Sequence, residues 1–140
     1  MGSTPRAAPL PAVRSGRDVV RLAAAVLGPW RSSRAAVVVV GLDHTHRVAG
    51  VVENRRRWSL RTFTARELVA LSVELRASAL VLVQFVPDKR GAPTMADAHD
   101  FRAMAARCAA AQALLADCIV VSGERRWSLA SMAARERAQP

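Results

Sequence analysis

The residues from Val83 to Asp97, VQFVPDKRGAPTMAD, form the stretch of this chain best arranged for chemistry. The apolar run Ala79-Leu80-Val81-Leu82-Val83 leads into a loop bounded by Pro87 and Pro93, and a helix is expected to start at Thr94. A strand that empties into a loop and then a helix N-terminus offers free backbone N–H groups on a rigid frame. Anions, metals and other ligands are often held at such junctions. Thr94 and Asp97 have capping-box spacing, with Asp in place of the usual Glu or Gln, so a helix cap explains both without a ligand. His99 falls on another side of the same helix and reads as a surface residue.

Two further groups have the right residue types for chemistry. Asp43, His44 and His46 form an H-x-H pair beside an acid, and on a strand both imidazoles would share a face and hold a metal. No third or fourth ligand is close in sequence, and an exposed polar turn accounts for the same residues. Arg55, Arg56, Arg57, Trp58 and Arg61 could form a nucleic-acid patch, with guanidinium groups on phosphates and a base or sugar on the indole. A charged hairpin tip is the plainer account.

The 140 residues suit one domain with a single core, and half the composition is apolar. With 21 basic and 11 acidic residues the formal charge is +10, carried by arginine except at Lys89. Guanidinium-rich chains suit phosphate or carboxylate recognition. Cys108 and Cys118 lie in apolar contexts without a CxxC pair, which predicts buried free thiols and a reducing, cytoplasmic setting. No apolar run reaches the roughly 18 residues of a membrane span.

The order of elements follows from periodicity. Residues 1–16 are rich in Pro, Ala and Gly and read as a disordered leader. A helix is expected from Arg17 or Asp18 to Leu27, with Val19, Val20, Leu22, Ala23 and Val26 inward, ended by Gly28-Pro29. Ala35 to Leu42 reads as a strand buried on both faces, and Val48 to Glu53 as its hairpin partner. Trp58 to Phe63 alternates and predicts a third strand. Thr64-Ala65-Arg66-Glu67 is a capping box that starts a helix to about Ala77, with Leu68, Leu71, Val73 and Leu75 on its apolar side. After the Ala79 to Val86 strand, the helix from Thr94 is expected to reach Ala116. Asp117 to Val121 and Arg126 to Leu129 close the domain as strands, with a brief helix capped by Ser128 or Ser131 and a tail from 135 to 140.

Taken together these residues resemble the RadC-like proteins of the JAB/MPN (JAMM metallopeptidase-like) superfamily. The family pattern is a strand ending in H-N-H-P-S-G, then a Pro-Ser pair and an Asp, a long helix, and a D-H-hydrophobic strand with a glycine turn and a V-S-L segment. Here Gln84-Phe85-Val86-Pro87-Asp88, Pro93-Thr94 and Asp97 follow that spacing without a gap. Leu42-Asp43 with Arg47, Arg66-Glu67, the run from Asp117 to Gly123, and Trp127-Ser128-Leu129 match its other parts. The likeness covers Arg17 to Met132 and places the domain at 17–134. It implies a single α/β domain with a JAB/MPN-like (cytidine-deaminase-like) layered mixed sheet and flanking helices.

The resemblance also implies a zinc site of two histidines, an aspartate and water, with a glutamate base and a serine at the oxyanion. In this chain the two histidine positions hold Gln84 and Val86, the serine position holds Thr94, and Asp97 remains. A valine cannot bind metal and a neutral amide oxygen is a poor zinc ligand. Counting back from Gln84 puts the glutamate position near Val51, whereas Glu53 is the only acid in that strand, and a two-residue shift keeps the strand face. The expectation is therefore a catalytically degenerate domain, without zinc, acting as a non-enzymatic binding or scaffold module. The alternatives are a nucleic-acid-binding protein, in keeping with the family's DNA-repair association, and a zinc hydrolase with a relocated site at Asp97 and His99 or at His44 and His46.

Overall fold

The computed structural model describes residues 16–28, 35–54, 57, 59–87 and 91–138. Five strands form one mixed sheet: β1 (Ala36–Leu42), β2 (Val48–Asn54), β3 (Ala79–Phe85), β4 (Leu115–Ser122) and β5 (Arg125–Ser128), in the order β2-β1-β3-β4-β5. Only β3 and β4 run parallel. They are joined by a helical crossover, as parallel neighbours require. Helix α1 (Gly16–Leu27) covers one face, and α2 (Ala65–Glu74), α3 (Met95–Ala110) and α4 (Leu129–Ala138) cover the other. This is the expected layered mixed sheet in a single α/β domain. The expected leader lies outside the described residues apart from Gly16, which opens α1. The expected tail begins as helix, because α4 runs on to Ala138.

Strand β1 is buried along its whole length, since β2 and β3 flank it and helices cover both faces. Its alternation separates two cores: Val37 and Val39 face α2 to α4 with Leu80, Leu82, Cys118 and Val120, whereas Val38 and Val40 face α1 with Val81, Val83 and Ile119. Gly41 and Gly50 are paired across β1 and β2, and Leu75 rests on both. A Cβ on Gly41 would come within 2.9 Å of the Ala77 Cβ and 3.3 Å of the Leu75 Cβ, whereas one on Gly50 would meet the Leu75 Cδ2 at 2.8 Å. The first pair of obstacles is fixed to backbone and the second is a movable methyl. Gly41→Ala is thus expected to cost about 2–3 kcal/mol and Gly50→Ala about 1 kcal/mol in urea denaturation, with only the Gly50 loss relieved when Leu75→Met is added.

Three elements depart from the periodicity. The expected strand from Trp58 to Phe63 is instead a 3-10 turn at Leu60–Thr62, with Trp58 itself outside the described residues. Thr62 N and Oγ1 both donate to the Ser59 carbonyl, and Phe63 N donates to the Leu60 carbonyl. Leu60 and Phe63 are the buried pair, so the operative spacing is three and the alternation was incidental. Helix α3 stops at Ala110, six residues short of the expected end, and α2 ends at Glu74. Both helices close with Schellman bonds, Ala77 N to Ser72 O and Ala113 N to Cys108 O, each 2.9 Å. The left-handed residue is Arg76 (φ 52°) in one and Gln112 (φ 63°) in the other, so no glycine marked either stop. Gln112→Gly is expected to raise stability by about 1 kcal/mol by removing that backbone strain. Among residues expected to face inward, Val26 and Val73 are exposed, and Leu27 takes the inner position in α1.

Candidate functional site

The C-terminal end of β3, the 3-10 turn and the N-terminus of α3 enclose a cleft of about 230 Å³. Its walls include Gln84 and Val86 from β3 and just beyond it, Leu60 and Arg61 from the turn, and Asp97 and Asp100 from α3. The structure therefore brings together Gln84, Val86 and Asp97 from distant parts of the sequence. It adds Arg61 and Asp100, whose place beside them no spacing in the sequence signals.

Gln84, Asp97, Arg61 and Asp100 each have a structural task in the cleft. Gln84 Oε1 accepts a hydrogen bond from Leu60 N at 3.0 Å and so anchors the 3-10 turn to the sheet. Val86 is 7% exposed, packs in the core under α2 to α4, and donates its backbone N–H to Val121 O at 2.9 Å. Asp97 Oδ2 accepts from Thr94 N at 2.7 Å and from the Thr94 hydroxyl at 3.2 Å, the reach-back half of a capping box. Its other oxygen lies 3.6 Å from Arg61, whose Nε also donates to Asp100 Oδ2 at 2.5 Å. The guanidinium thus stands between two carboxylates and is the cation at the cleft among the described residues.

Zinc is bound by imidazole, thiolate and carboxylate donors. The described residues of this cleft offer one amide oxygen that already accepts an N–H, one isopropyl group, one carboxylate shared between Thr94 and Arg61, and a second, Asp100, held by the Arg61 Nε. These residues do not fit zinc.

The register of β2 places the glutamate candidates. Gln84 and Asn54 both pair with Val37 and so share a face with the cleft. Glu53 pairs with Val38 and Val51 with Val40, which puts both on the α1 face. A two-residue shift between them stays on that face, so neither side chain is directed toward Gln84.

The relocated ligand sets do not assemble either. His99 Nε2 pairs with Glu136 of α4 at 2.7 Å, away from Asp97. His44 and His46 are exposed in a turn rather than on a strand. Asp43 holds that turn by accepting from Thr45 N, the Thr45 hydroxyl and Arg47 N. Those bonds, the Thr45 hydroxyl first, hold the Asp43 carboxyl below its ordinary value. Because the folded value is depressed, the turn's added stability is present above the ordinary aspartate range and lost as pH falls through the lowered value. Amide signals of Thr45 and Arg47 are expected to titrate together below about pH 4 by NMR. No group of three His, Cys, Asp or Glu side chains converges among the described residues.

Of the expected nucleic-acid patch, Arg55, Arg56 and Trp58 lie outside the described residues. Arg57 is bound inward: it donates to the Thr62 carbonyl, pairs with Glu67 and stacks 5.4 Å over Phe63. Arg61 is engaged by Asp97 and Asp100. The expected buried thiols are found: Cys108 and Cys118 are unpaired, and burial pushes the Cys118 thiol up, with Asp117 and Asp97 adding to it.

Asp117 is the residue whose role only the structure reveals. Its Oδ1 accepts from Cys118 N at 2.7 Å and from Ala130 N at 3.0 Å, and its Oδ2 accepts from the Ser128 hydroxyl at 2.6 Å. Ser128 Oγ in turn accepts from Ser131 N at 3.0 Å. One half-buried carboxylate thus joins β4, the end of β5 and the N-terminus of α4.

A five-stranded mixed sheet, one helix behind and three in front, with a strand-loop-helix cleft at the end of the β3–α3 crossover, defines a JAB-type α/β domain. The family model for the RadC-like JAB domain matches residues 13–136, and the chain belongs to that family. No curated protein matches it.

Proposed function

We propose that this chain is a catalytically degenerate RadC-like JAB domain that works as a non-enzymatic binding or scaffold module. The observation that carries this reading is the conversion of both histidine positions to structural use: Gln84 fixes Leu60, and Val86 fills the core. Asp97 is likewise spent on Thr94 and Arg61, so a cation already compensates the remaining carboxylate. The two buried unpaired cysteines support a cytoplasmic setting. No helix among the described residues is long and apolar enough to cross a membrane.

Elemental analysis of the native chain, purified without added metal and dialysed, tests the reading. Zinc is expected far below one ion per chain. Stoichiometric zinc, with peptide hydrolysis that a chelator abolishes, would overturn it.

A nucleic-acid role is the weaker reading, supported by the +10 charge. It loses two of its five patch residues, Arg57 and Arg61, to internal carboxylates. If duplex DNA binds, its log–log salt slope is expected near −0.9 for each phosphate neutralised. Binding that is absent at low salt removes this reading.

A further inference from the structure

Beside the cleft, and sharing Pro93 with it, lies a second groove of about 510 Å³ lined by Pro93, Met95, Trp127, Met132, Arg135 and Glu136. It opens along β5, the last strand of the sheet among the described residues. Among the described residues strand β5 pairs with β4 on one side only, so its other edge presents backbone donors and acceptors. Trp127 pairs with Val120 and therefore stands on the groove's side of the sheet, half-buried. Met95 is 40% exposed at the groove, beside Trp127 and Met132. Aromatic and methionine side chains in a shallow groove are what apolar anchors of a bound peptide fill.

The charge around the groove selects the anchor's neighbours. Arg125 and Arg135 are exposed on the groove's side, and Arg126, paired with Val121, is exposed on the opposite face of β5. The Arg125 guanidinium lies 4.7 Å over the Trp127 ring, and a guanidinium stacked flat keeps its in-plane donors for a carboxylate. The acids nearby are Glu124 in the turn and Glu136, which is occupied by His99 at 2.7 Å and lies 4.0 Å from Arg102. An open strand edge, an apolar groove one residue row away and a basic border together match one kind of ligand.

We propose that β5 and the Met95–Trp127–Met132 groove form a docking site for an extended acidic peptide segment, which adds as a sixth strand beside β5. Its backbone pairs with the β5 edge, one aliphatic side chain enters the groove, carboxylates on that side meet Arg125 and Arg135, and one on the opposite face meets Arg126. The inference rests on the binding-module reading but fails separately from it: zinc content decides the loss of chemistry, and peptide binding decides this surface.

The test is fluorescence anisotropy with the full chain and a fluorescein-labelled peptide, Asp-Glu-Ile-Asp-Leu-Glu, against its counterpart with lysine at every acidic position. The acidic peptide is expected to saturate and to bind at least about tenfold more tightly than the lysine form. Met95→Asp and Arg125→Glu, both at exposed positions, should each weaken it about tenfold, and so should N-methylation of alternate peptide amides. Trp127→Ala should do the same, with Trp127→Phe retaining most of the affinity if the fold is intact by circular dichroism. The proposal is overturned by absence of saturable binding, equal affinity for both peptides, or indifference to Met95→Asp and Arg125→Glu. It is also overturned if a single-stranded oligonucleotide of equal charge binds as tightly with the same dependence on Arg125, which would make this a nucleic-acid surface.

Discussion

Asp117→Ala is expected to lower the stability of the domain by about 3 kcal/mol, a fall of roughly 10 °C in Tm for a chain of this size. Its carboxylate accepts three hydrogen bonds, two from backbone N–H groups and one from Ser128. Bonds to an ionised acceptor are stronger than neutral ones, and the groups left behind are only partly open to water. The loss should therefore exceed that of a single cap. Asp117→Asn separates the contributions, because its one oxygen can keep both N–H donors while the Ser128 hydroxyl loses a charged acceptor. About half of the loss is expected. Thermal and urea denaturation followed by circular dichroism measure both. A loss below about 1 kcal/mol for the alanine variant would mean that water replaces the carboxylate and that α4 docks through its apolar contacts, Leu129, Ala130 and Met132 among them.

That brace illustrates what a sequence can and cannot show. The capping box at Thr64 to Glu67 was legible because its partners lie three residues apart, and the structure has both halves of it. Strands β1 and β3 were legible because apolar runs of that length bury themselves on both faces. The bond from Gln84 to Leu60 was not, since it spans 24 residues and joins a side chain to a backbone N–H that carries no sequence signature. The ends of α2 and α3 were hidden for a different reason: Arg76 and Gln112 hold a conformation that glycine usually announces. In β2 the identity of Glu53 pointed one way and the strand register the other, and only the pairing with Val38 fixes its face.

The double substitution Gln84→His with Val86→His is expected to raise zinc affinity at least about 100-fold over the unaltered chain, measured by competition with a chromogenic chelator. Two imidazoles would then stand with Asp97, a three-residue donor set of the kind zinc accepts with water as the fourth ligand. The gain is limited by Arg61, whose cation lies 3.6 Å from Asp97 and competes with a metal for its charge. Adding Arg61→Ala should raise the affinity by about a further tenfold, a discount on the full Coulomb term because this guanidinium is well exposed. Stability should fall by about 1–3 kcal/mol, because Val86 is a core residue and Leu60 N loses its amide acceptor. Zinc binding is nevertheless expected without hydrolysis of a peptide or activated ester. Glu53, paired with Val38, stands on the α1 face and is turned away from the Gln84 face, whereas Asn54, opposite Val37, shares that face. Asn54→Glu on the histidine background is thus the variant in which chelator-sensitive hydrolysis should first appear. Hydrolysis from the two histidines alone would contradict the register as the barrier. Zinc affinity unchanged by them would show that the loop after β3 has lost the geometry as well as the ligands.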